Sequence, residues 1–253
     1  MANITTTLNL KDEIARNGYG LLRASDLHIS EELLQAWHSL TIDYADLPAD
    51  EYLPGGARYR FRRYGRFRFS PRSGALSRLP HEDYFQSADI NRVTGGIIRK
   101  FAPLEETTFD NEFLRELIRF DFAQFPLEDA AQSREDWEVH AHLIRVTAGL
   151  SAPGHPTPEG IHRDGAAFVT VHLAELVNAQ GGEVSIYDDD RQLLTTFQLE
   201  AVLDSYLFND AILWHAAEPI RAAAPAHGAI RSILTFDYHP GLTGPRIDSY
   251  KRD

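Results

Sequence analysis

The stretch Gly160-Ile161-His162-Arg163-Asp164-Gly165, followed by the run at 168–173, decides how this chain is interpreted. His162 and Asp164 are two residues apart, so on an extended segment both side chains project from the same face. The run behind them is Phe-Val-Thr-Val-His-Leu, a composition typical of a β-strand. A histidine and a carboxylate placed in this way can occupy two neighbouring positions on one metal ion.

A third metal ligand must come from elsewhere, and the candidate is His215 in the run Ile212-Leu213-Trp214-His215-Ala216. Two imidazoles and one carboxylate on one face of an octahedron form the triad of non-haem Fe(II) oxygenases, which leaves the opposite face open. The apolar neighbours of His215 also fit a buried histidine that bonds only backbone groups. Three other histidines are rival ligands or partners of the ligands: His142, His155 and His172.

The His-x-Asp pattern is short, and it occurs a second time at His81-Glu82-Asp83. With 11 histidines in the chain, about one such match is expected by chance. The second copy lies in a polar segment without a β run directly behind it. We therefore expect His162 and Asp164 to bind metal, and His81 and Asp83 to be surface residues or turn caps.

The composition points to one domain that acts on or binds small molecules. The chain has 253 residues and a formal net charge of -12, which argues against nucleic acid because phosphates need clustered cations. It has no cysteine, so any metal must be held by His, Asp or Glu. Residues 1–7 lack the features of a secretory signal and no run is long enough for a membrane helix, so we expect a cytoplasmic protein. The oligomeric state stays open, a homo-oligomer included.

The pattern of apolar residues divides the chain into a supporting half and a core. Within residues 1–138 the pattern predicts three helices: one at 8–16, one that begins at Ser30, and one that is capped by Thr108 or Asp110. It predicts strands at 19–22, 58–72 and 95–101. Seven short β runs then follow one another: 139–147, 168–173, 183–187, 193–199, 205–208, 212–216 and 230–238. We predict a single α+β domain over 1–253, with a jelly roll of about eight strands at 139–240 packed on flanking N-terminal helices.

Two arginine-bearing strands predict cations that face a ligand. Seven arginines alternate with aromatic residues between Arg58 and Arg72, which indicates a solvated edge strand with one or two arginines turned toward an anionic substrate. Single-stranded nucleic acid is the alternative, which the acidic charge of the chain disfavours. On the strand at 230–236, Arg231, Ile233 and Thr235 would look inward. A buried guanidinium there needs a carboxylate, from a bound acid or an internal salt bridge, unless the position faces solvent.

The order His162-x-Asp164, His215, Arg231 resembles the Fe(II)/2-oxoglutarate dioxygenases, and more narrowly the bacterial hydroxylases of free L-amino acids of the L-isoleucine hydroxylase type. Further stretches resemble that group in the same order within residues 44–238: Asp83-Tyr84-Phe85-Gln86-Ser87, Gly95-Gly96 with Arg99, Arg119-Phe120-Asp121, and His142-x-x-Arg145. The chain departs from the group at Leu143, where glutamine often follows the histidine, and in the number of arginines near Arg58. Both differences concern the side that the substrate would contact.

The resemblance implies a double-stranded β-helix, the cupin-like form of the jelly roll, and an enzyme that uses Fe(II), 2-oxoglutarate and O₂. By this resemblance, His162, Asp164 and His215 are the catalytic metal ligands, and Arg231 binds the far carboxylate of 2-oxoglutarate. The implied reaction is the hydroxylation of an unactivated C–H bond in a small substrate, a free L-amino acid in the first place.

An amino acid also needs partners for its own charges. Arg58, Arg99 and Arg145 are the candidates for binding the substrate carboxylate, and Glu159 or Asp188 for binding the amine. Two other functions stay open for the same scaffold. One is a cupin-like metal hydrolase or isomerase that needs no 2-oxoglutarate, and the other is a jelly roll that binds a ligand without catalysis.

Overall fold

The computed structural model describes residues 3–88, 90–91, 93, 95–127, 132–224 and 226–242. In these ranges the α-helices are α1 (Leu10–Asn17), α2 (Glu31–Ile42), α3 (Glu106–Phe109) and α4 (Glu112–Ala123). The strands are β1 (Ile4–Thr6), β2 (Tyr19–Leu22), β3 (Leu27–Ile29), β4 (Arg60–Ser70), β5 (Ala75–Arg78), β6 (Ala102–Pro103), β7 (Trp137–Ala148), β8 (Phe168–Val177), β9 (Ala179–Gly181), β10 (Val184–Tyr187), β11 (Leu193–Phe197), β12 (Ser205–Asn209), β13 (Trp214–Ala217), β14 (Ile220–Ala222) and β15 (Ala229–Pro240).

Most of these strands form the two layers of a jelly roll. The larger sheet has eight strands, in the order β2-β12-β8-β15-β7-β4-β5 with β6 beside β4. The opposite layer consists of β11-β10-β13 and of the pair β14-β9. Except for β6 with β4, these strands pair antiparallel. The predicted jelly roll with N-terminal helices is therefore confirmed, although the first half adds more strands to the sheet than the division at residue 139 suggested.

Side-chain alternation gives the larger sheet an apolar face and a polar face. β7 and β15 pair along their whole length, with Leu143 opposite Leu234 and Ile144 opposite Ile233. Leu143 and Leu234 point into the main hydrophobic core, whereas Ile144 and Ile233 point to an interior cavity between the two layers. Even-numbered residues of β7 and odd-numbered residues of β15 therefore face the cavity, and their neighbours along each strand face the core.

Helices α1, α2 and α4 cover the apolar face of the larger sheet. α1 ends at Asn17, one residue beyond its predicted end, and Gly18 caps it with a φ of 80° and an N–H donated to the carbonyl of Ile14. α4 begins later than predicted, because the Asn111 side chain caps it by accepting the N–H of Leu114 at 3.1 Å. In the described ranges, no helix combines the length and the apolar character needed to cross a membrane.

Two sequence predictions about the arginine-bearing segments need correction. The strand predicted at 95–101 is a loop that contains only one isolated bridge, between Tyr84 and Arg99. Gly96 turns the chain there with a φ of 77°, which interrupts an extended run. β4 is also not a solvated edge, because it lies between β7 and β5. Two of its arginines, Arg60 and Arg62, do turn inward to the cavity, as expected for one or two of them.

A buried polar network holds α4 on the sheet. The fully buried carboxylate of Asp121 accepts a hydrogen bond from Thr170 Oγ1 at 2.7 Å and lies 2.9 Å from His172 Nε2. His172 Nδ1 lies 2.7 Å from Ser205 Oγ. Both ring nitrogens of His172 therefore have partners on the helix-covered face, so this residue does not compete for the metal.

Replacing Asp121 tests this network. We expect Asp121→Ala to lower the free energy of unfolding by about 3 kcal/mol, because buried partners lose their hydrogen bonds. Urea denaturation measures the change, with Asp110→Ala as a control on an exposed neighbouring carboxylate. A loss below about 1 kcal/mol, the usual range for surface substitutions, would contradict the role given to Asp121.

Candidate active site

A pair of backbone hydrogen bonds sets the centre of the site. The N–H of His162 donates to the carbonyl of His215 at 3.0 Å, and the N–H of His215 donates back at 2.9 Å. Two residues 53 positions apart in sequence therefore lie directly opposite each other, and their Nε2 atoms are 3.0 Å apart. β13 carries His215 alongside β10, so the second imidazole is fixed by the smaller sheet.

Asp210 holds the turn that carries the carboxylate of Asp164. The buried side chain of Asp210 accepts the N–H groups of Asp164 (3.0 Å), Gly165 (2.7 Å) and Ala166 (2.9 Å). Three donors on one carboxylate fix the turn between His162 and the start of β8. As a result, Asp164 Oδ2 lies 3.3 Å from His215 Nε2, and its Oδ1 lies 3.7 Å from His162 Nε2.

The donor atoms of His162, Asp164 and His215 fit a single metal ion. Ligands bound at about 2.1 Å on neighbouring octahedral positions lie about 3 Å apart, close to the observed separations. The Nδ1 of His162 is 3.0 Å from the carbonyl of Gly160. Because a carbonyl only accepts, Nδ1 carries the proton there and the lone pair of Nε2 points to the centre of the triad.

The electrostatics of the triad favour a bound cation. Burial disfavours the charged form of Asp164, but the hydrogen bond from His215 and the charge of His162 outweigh it and lower its pKa. Burial together with the neighbouring His162 lowers the pKa of His215, which favours the neutral imidazole that metals bind. Burial and the nearby charge of Asp164 raise the pKa of Asp210 to about 7. The ionised form is therefore favoured at Asp164 rather than at Asp210, which places the negative charge on the carboxylate that faces the two imidazoles.

A second group of potential metal ligands lies nearby, formed by His140, Asp237 and His239. His140 Nε2 is 2.6 Å from Glu138, and Glu138 accepts a hydrogen bond from Arg66 at 2.7 Å. The Arg66 guanidinium thus already supplies a positive charge to this network, and that charge would repel a metal ion. In contrast, no arginine of the described residues lies within 4.0 Å of the Asp164 carboxylate, and all three triad residues line the cavity. The triad of His162, Asp164 and His215 therefore fits an iron centre better.

Arg231 lies in the same cavity as the triad and has the setting expected of an anion-binding residue. Its side chain is only 4 % exposed and passes beside Gly182. Burial lowers its pKa, and Tyr206 is the neighbour that counteracts this effect. Within the described ranges, no carboxylate comes within 4.0 Å of the guanidinium. A buried cation of this kind is stabilised when a ligand brings a carboxylate.

The cavity measures about 680 Å³ with its mouth included. It is lined by Arg60, Arg62, Tyr84, Gln86, Arg99, His142, Ile144, Pro156, Thr157, Glu159, His162, Asp164, Val171, Tyr206, His215, Ala217, Arg231, Ile233, Thr235 and Asp237. Arg231, Ile233 and Thr235 share the inward face of β15, as their spacing predicted.

The cavity lining contains a second group of cations. Arg60 is paired with Asp50 at 2.9 Å, so its charge is compensated. Arg62 instead lies 2.7 Å from His142 Nδ1 and stacks over Phe101 at 4.1 Å. Burial lowers the pKa of Arg62 to about 10 and also lowers that of Arg99. Arg62 and Arg99 therefore form a positively charged, desolvated wall.

The structure brings only some of the predicted substrate residues to this cavity. Arg99 and Glu159 line it, with Glu159 Oε1 4.0 Å from His162 Nε2. The prediction for Arg145 is wrong: its side chain lies on the same, helix-covered face of β7 as that of Leu143, and it pairs with Glu175 at 2.9 Å. The prediction for Arg58 is also wrong, because this residue is exposed just before β4 and does not line the cavity.

The remaining candidates have structural roles. Asp188 accepts the N–H of Gln192 at 2.8 Å in the turn between β10 and β11. His155 contacts the ring of Tyr59 and is not part of the cavity lining. His142 lines the cavity but bonds Arg62 and Asp237. In the second His-x-Asp pattern, His81-Glu82-Asp83, the Nε2 of His81 lies 3.0 Å from the carbonyl of Phe101.

Several cavity residues were missed by the sequence analysis. Gln86, Tyr84 and Arg62 belong to the site, yet two of them come from a loop whose path the local pattern does not predict. Two signals were available. Arg60, Arg62 and Tyr64 share a face of β4, and the stretch that contains Tyr84 and Gln86 resembles the family. Asp210 was also missed, since a turn aspartate gives no hint of what it bonds.

A jelly roll that carries two histidines and a carboxylate beside an open cavity defines the class of mononuclear non-haem iron oxygenases. Residues 42–237 match the model of the family described as 2OG-Fe dioxygenase. The chain therefore belongs to the 2OG-Fe dioxygenase family. This membership makes it an Fe(II)- and 2-oxoglutarate-dependent dioxygenase that uses O₂, and it confirms the resemblance seen in the sequence.

Proteins similar to this chain include two enzymes and a protein of solved structure. It is 29% identical to L-isoleucine-4-hydroxylase of Bacillus thuringiensis over 223 residues, which cover 84% of this chain and 90% of that enzyme. It is 25% identical to 3(1)-hydroxy-L-isoleucine 4-dioxygenase of Pantoea ananatis (strain AJ13355), over 89% of this chain and 93% of that enzyme. A bsmA homologue from Methylobium petroleophilum PM1 superposes with a TM-score of 0.79 at 27% identity, over 93% of this chain and 94% of that one.

The two candidate metal groups can be separated by substitution. We expect Asp164→Ala to weaken Fe(II) binding more than about 100-fold, because it removes a ligand rather than a supporting contact. His239→Ala should change the affinity less than about threefold, since His239 lies outside the triad. Anaerobic Fe(II) titration measures both. The opposite ranking would assign the iron to His140, Asp237 and His239.

Substitution of Arg231 tests its role toward the co-substrate. We expect Arg231→Gln to raise the KM for 2-oxoglutarate about 10- to 100-fold, because a charge-assisted hydrogen bond contributes about 1.5–3 kcal/mol. Fe(II) affinity should stay unchanged. Arg145→Gln is the matched control, since that guanidinium is already paired on the other face of the sheet. An unchanged KM for the Arg231 variant would contradict the assignment.

Proposed function

We propose that this enzyme hydroxylates a free L-amino acid with iron held by His162, Asp164 and His215. The observation that carries the proposal is the convergence of this triad and of Arg231 on one cavity, where Arg231 is buried with no carboxylate of the described residues within 4.0 Å. When bound, the iron supplies the activation of O₂ that couples oxidation of 2-oxoglutarate to succinate and CO₂ with hydroxylation of a C–H bond. The chain itself supplies orientation and charge.

Arg231 orients 2-oxoglutarate in this proposal. Its guanidinium binds the carboxylate distant from the keto acid, so that the keto acid end faces the triad. Tyr206, also in the cavity lining, neighbours both groups: its hydroxyl is 3.5 Å from His215 Nδ1, and it counteracts the lowering of the Arg231 pKa by burial. A dry environment around Arg231 strengthens this interaction, because the charges are poorly screened there.

The charges of Arg62, Arg99 and Glu159 in the cavity lining support a zwitterionic substrate. Arg99 and Arg62 offer cations that no carboxylate of the described residues neutralises within 4.0 Å, which suits the substrate carboxylate. Glu159 offers an anion next to the triad, 4.0 Å from His162 Nε2, which suits the ammonium group. A free amino acid carries both charges on neighbouring atoms, whereas a peptide backbone carries neither.

The two similar enzymes favour an aliphatic substrate, since their names specify isoleucine or its hydroxylated form. A methylene buried in an apolar pocket contributes only about 0.8 kcal/mol, which discriminates weakly between similar chain lengths. We therefore expect activity on several aliphatic amino acids. The cytoplasmic location and the oligomeric state remain predictions of the sequence alone. The hydrolase, isomerase and non-catalytic alternatives have no comparable support.

The direct experiment is a panel of free L-amino acids incubated with the enzyme, Fe(II), ascorbate, 2-oxoglutarate and O₂. Succinate release shows turnover, and a mass gain of one oxygen shows hydroxylation. We expect both with aliphatic L-amino acids, and neither with their N-acetyl or amide derivatives. Turnover of the derivatives alone, or of no amino acid, would overturn the proposed substrate class.

The two charge partners can be tested separately. We expect Arg99→Gln to raise the KM for the amino acid at least about tenfold while the KM for 2-oxoglutarate stays constant, because a charge-assisted bond is lost. Glu159→Gln should reduce the preference for the L-amino acid over the matching 2-hydroxy acid about tenfold. Steady-state kinetics with both co-substrates varied measures these effects. A rise in both KM values together would indicate general damage to the cavity.

A further inference from the structure

Gln86 touches both the proposed substrate anchor and the backbone of a proposed iron ligand. Its Oε1 accepts a hydrogen bond from Arg99 at 2.6 Å, and its Nε2 donates to the carbonyl of Asp164 at 3.1 Å. The side chain is 6% exposed, so water does not screen these contacts. One amide thus connects the wall that receives the substrate carboxylate with the turn that presents the metal-binding carboxylate.

The peptide groups around Asp164 are held from two sides. Asp210 takes the N–H of Asp164, and Gln86 donates to its carbonyl. Asp210 is fixed by its three backbone donors, whereas Gln86 belongs to the segment that also carries Arg99 and that is bridged between Tyr84 and Arg99. Movement of the Arg99 guanidinium can therefore reach Asp164 through Gln86, while Asp210 keeps the turn in place.

The contacts of the Arg99 guanidinium are expected to change when an anion binds to it. Its guanidinium stacks on Tyr84 at 4.7 Å, and its Nε has no hydrogen-bond partner among the described residues. The neutral amide oxygen of Gln86 accepts from it but does not neutralise its charge. A carboxylate that binds Arg99 changes how strongly the guanidinium holds Oε1, because both acceptors compete for the same cation.

We infer that Gln86 is a positioning residue that links amino-acid binding at Arg99 to the metal-binding geometry of Asp164. This inference rests on the proposed function, because it needs an amino-acid carboxylate at Arg99. The link makes the affinities for the amino acid and for the metal interdependent, and such coupling is reciprocal. It also ties oxidation of 2-oxoglutarate to the presence of substrate.

A purely structural role for Gln86 makes a different prediction. Asn91 donates to the same Oε1 at 3.1 Å, and the Gln86 carbonyl accepts the N–H of Gly96, so the residue also shapes its loop. Loss of loop shape would weaken amino-acid binding equally with and without metal. Loss of the link would instead remove the difference between these two affinities.

The test uses the full-length enzyme with Co(II) as the metal probe and the L-amino acid of highest turnover in the panel. Calorimetry gives the Kd of that amino acid for metal-free and Co(II)-loaded protein, with 2-oxoglutarate present in both. The variants are Gln86→Ala, which loses both bonds, and Gln86→Glu, which keeps the acceptor for Arg99 but lacks the amide donor to Asp164. Ser87→Ala is the control on the same loop. A second readout is the ratio of hydroxylated product to succinate.

In the wild type and Ser87→Ala we expect Co(II) to change the Kd of the amino acid at least about fivefold. In both Gln86 variants this factor should fall to about one, while Co(II) affinity without amino acid changes less than threefold. The product-to-succinate ratio should fall in parallel. Retention of the coupling factor in Gln86→Ala, or its absence in the wild type, would overturn the inference. Failure of every amino acid to turn over would instead overturn the proposed function on which it rests.

Discussion

The reciprocal hydrogen bonds between the backbones of His162 and His215 are the contact on which the site depends. They join a loop before β8 to a strand of the smaller sheet and set two imidazole nitrogens 3.0 Å apart. Asp164 reaches the same point because Asp210 fixes its turn with three further bonds. A carboxylate and two imidazoles so close together are costly to bury without a cation, which is why the arrangement implies a metal.

The alternation of side chains on the larger sheet determines the rest of the cavity. β4, β7 and β15 run side by side, so residues of one parity form a polar wall and residues of the other parity pack under the helices. The charges therefore fall into two groups: Arg231 beside Tyr206, and Arg62 with Arg99 beside Tyr84. Two groups of cations in the cavity that the metal-binding triad also lines suit an enzyme that binds two carboxylates in a fixed relative position.

The sequence predicted the jelly roll, seven of the nine strands from β7 to β15 to within a few residues, and the proximity of His162, Asp164, His215 and Arg231, because alternation and short-range spacing encode these features. Parity also explains the failure with Arg145, whose strand was correctly predicted but whose face was not assigned. The loop with Gln86 and Arg99 lacks periodicity, so its path over the cavity depends on tertiary contacts such as the bond from Gln86 to the Asp164 carbonyl. Asp210 illustrates the same limit, since its three partners lie more than forty positions away.

The most direct measurement is an anomalous difference map at the iron absorption edge, from crystals grown without oxygen in the presence of Fe(II) and 2-oxoglutarate. We expect a single strong peak bonded to His162, Asp164 and His215, with 2-oxoglutarate extending from it to Arg231. A peak between His140, Asp237 and His239, or 2-oxoglutarate bound away from Arg231, would contradict the iron centre described for this enzyme.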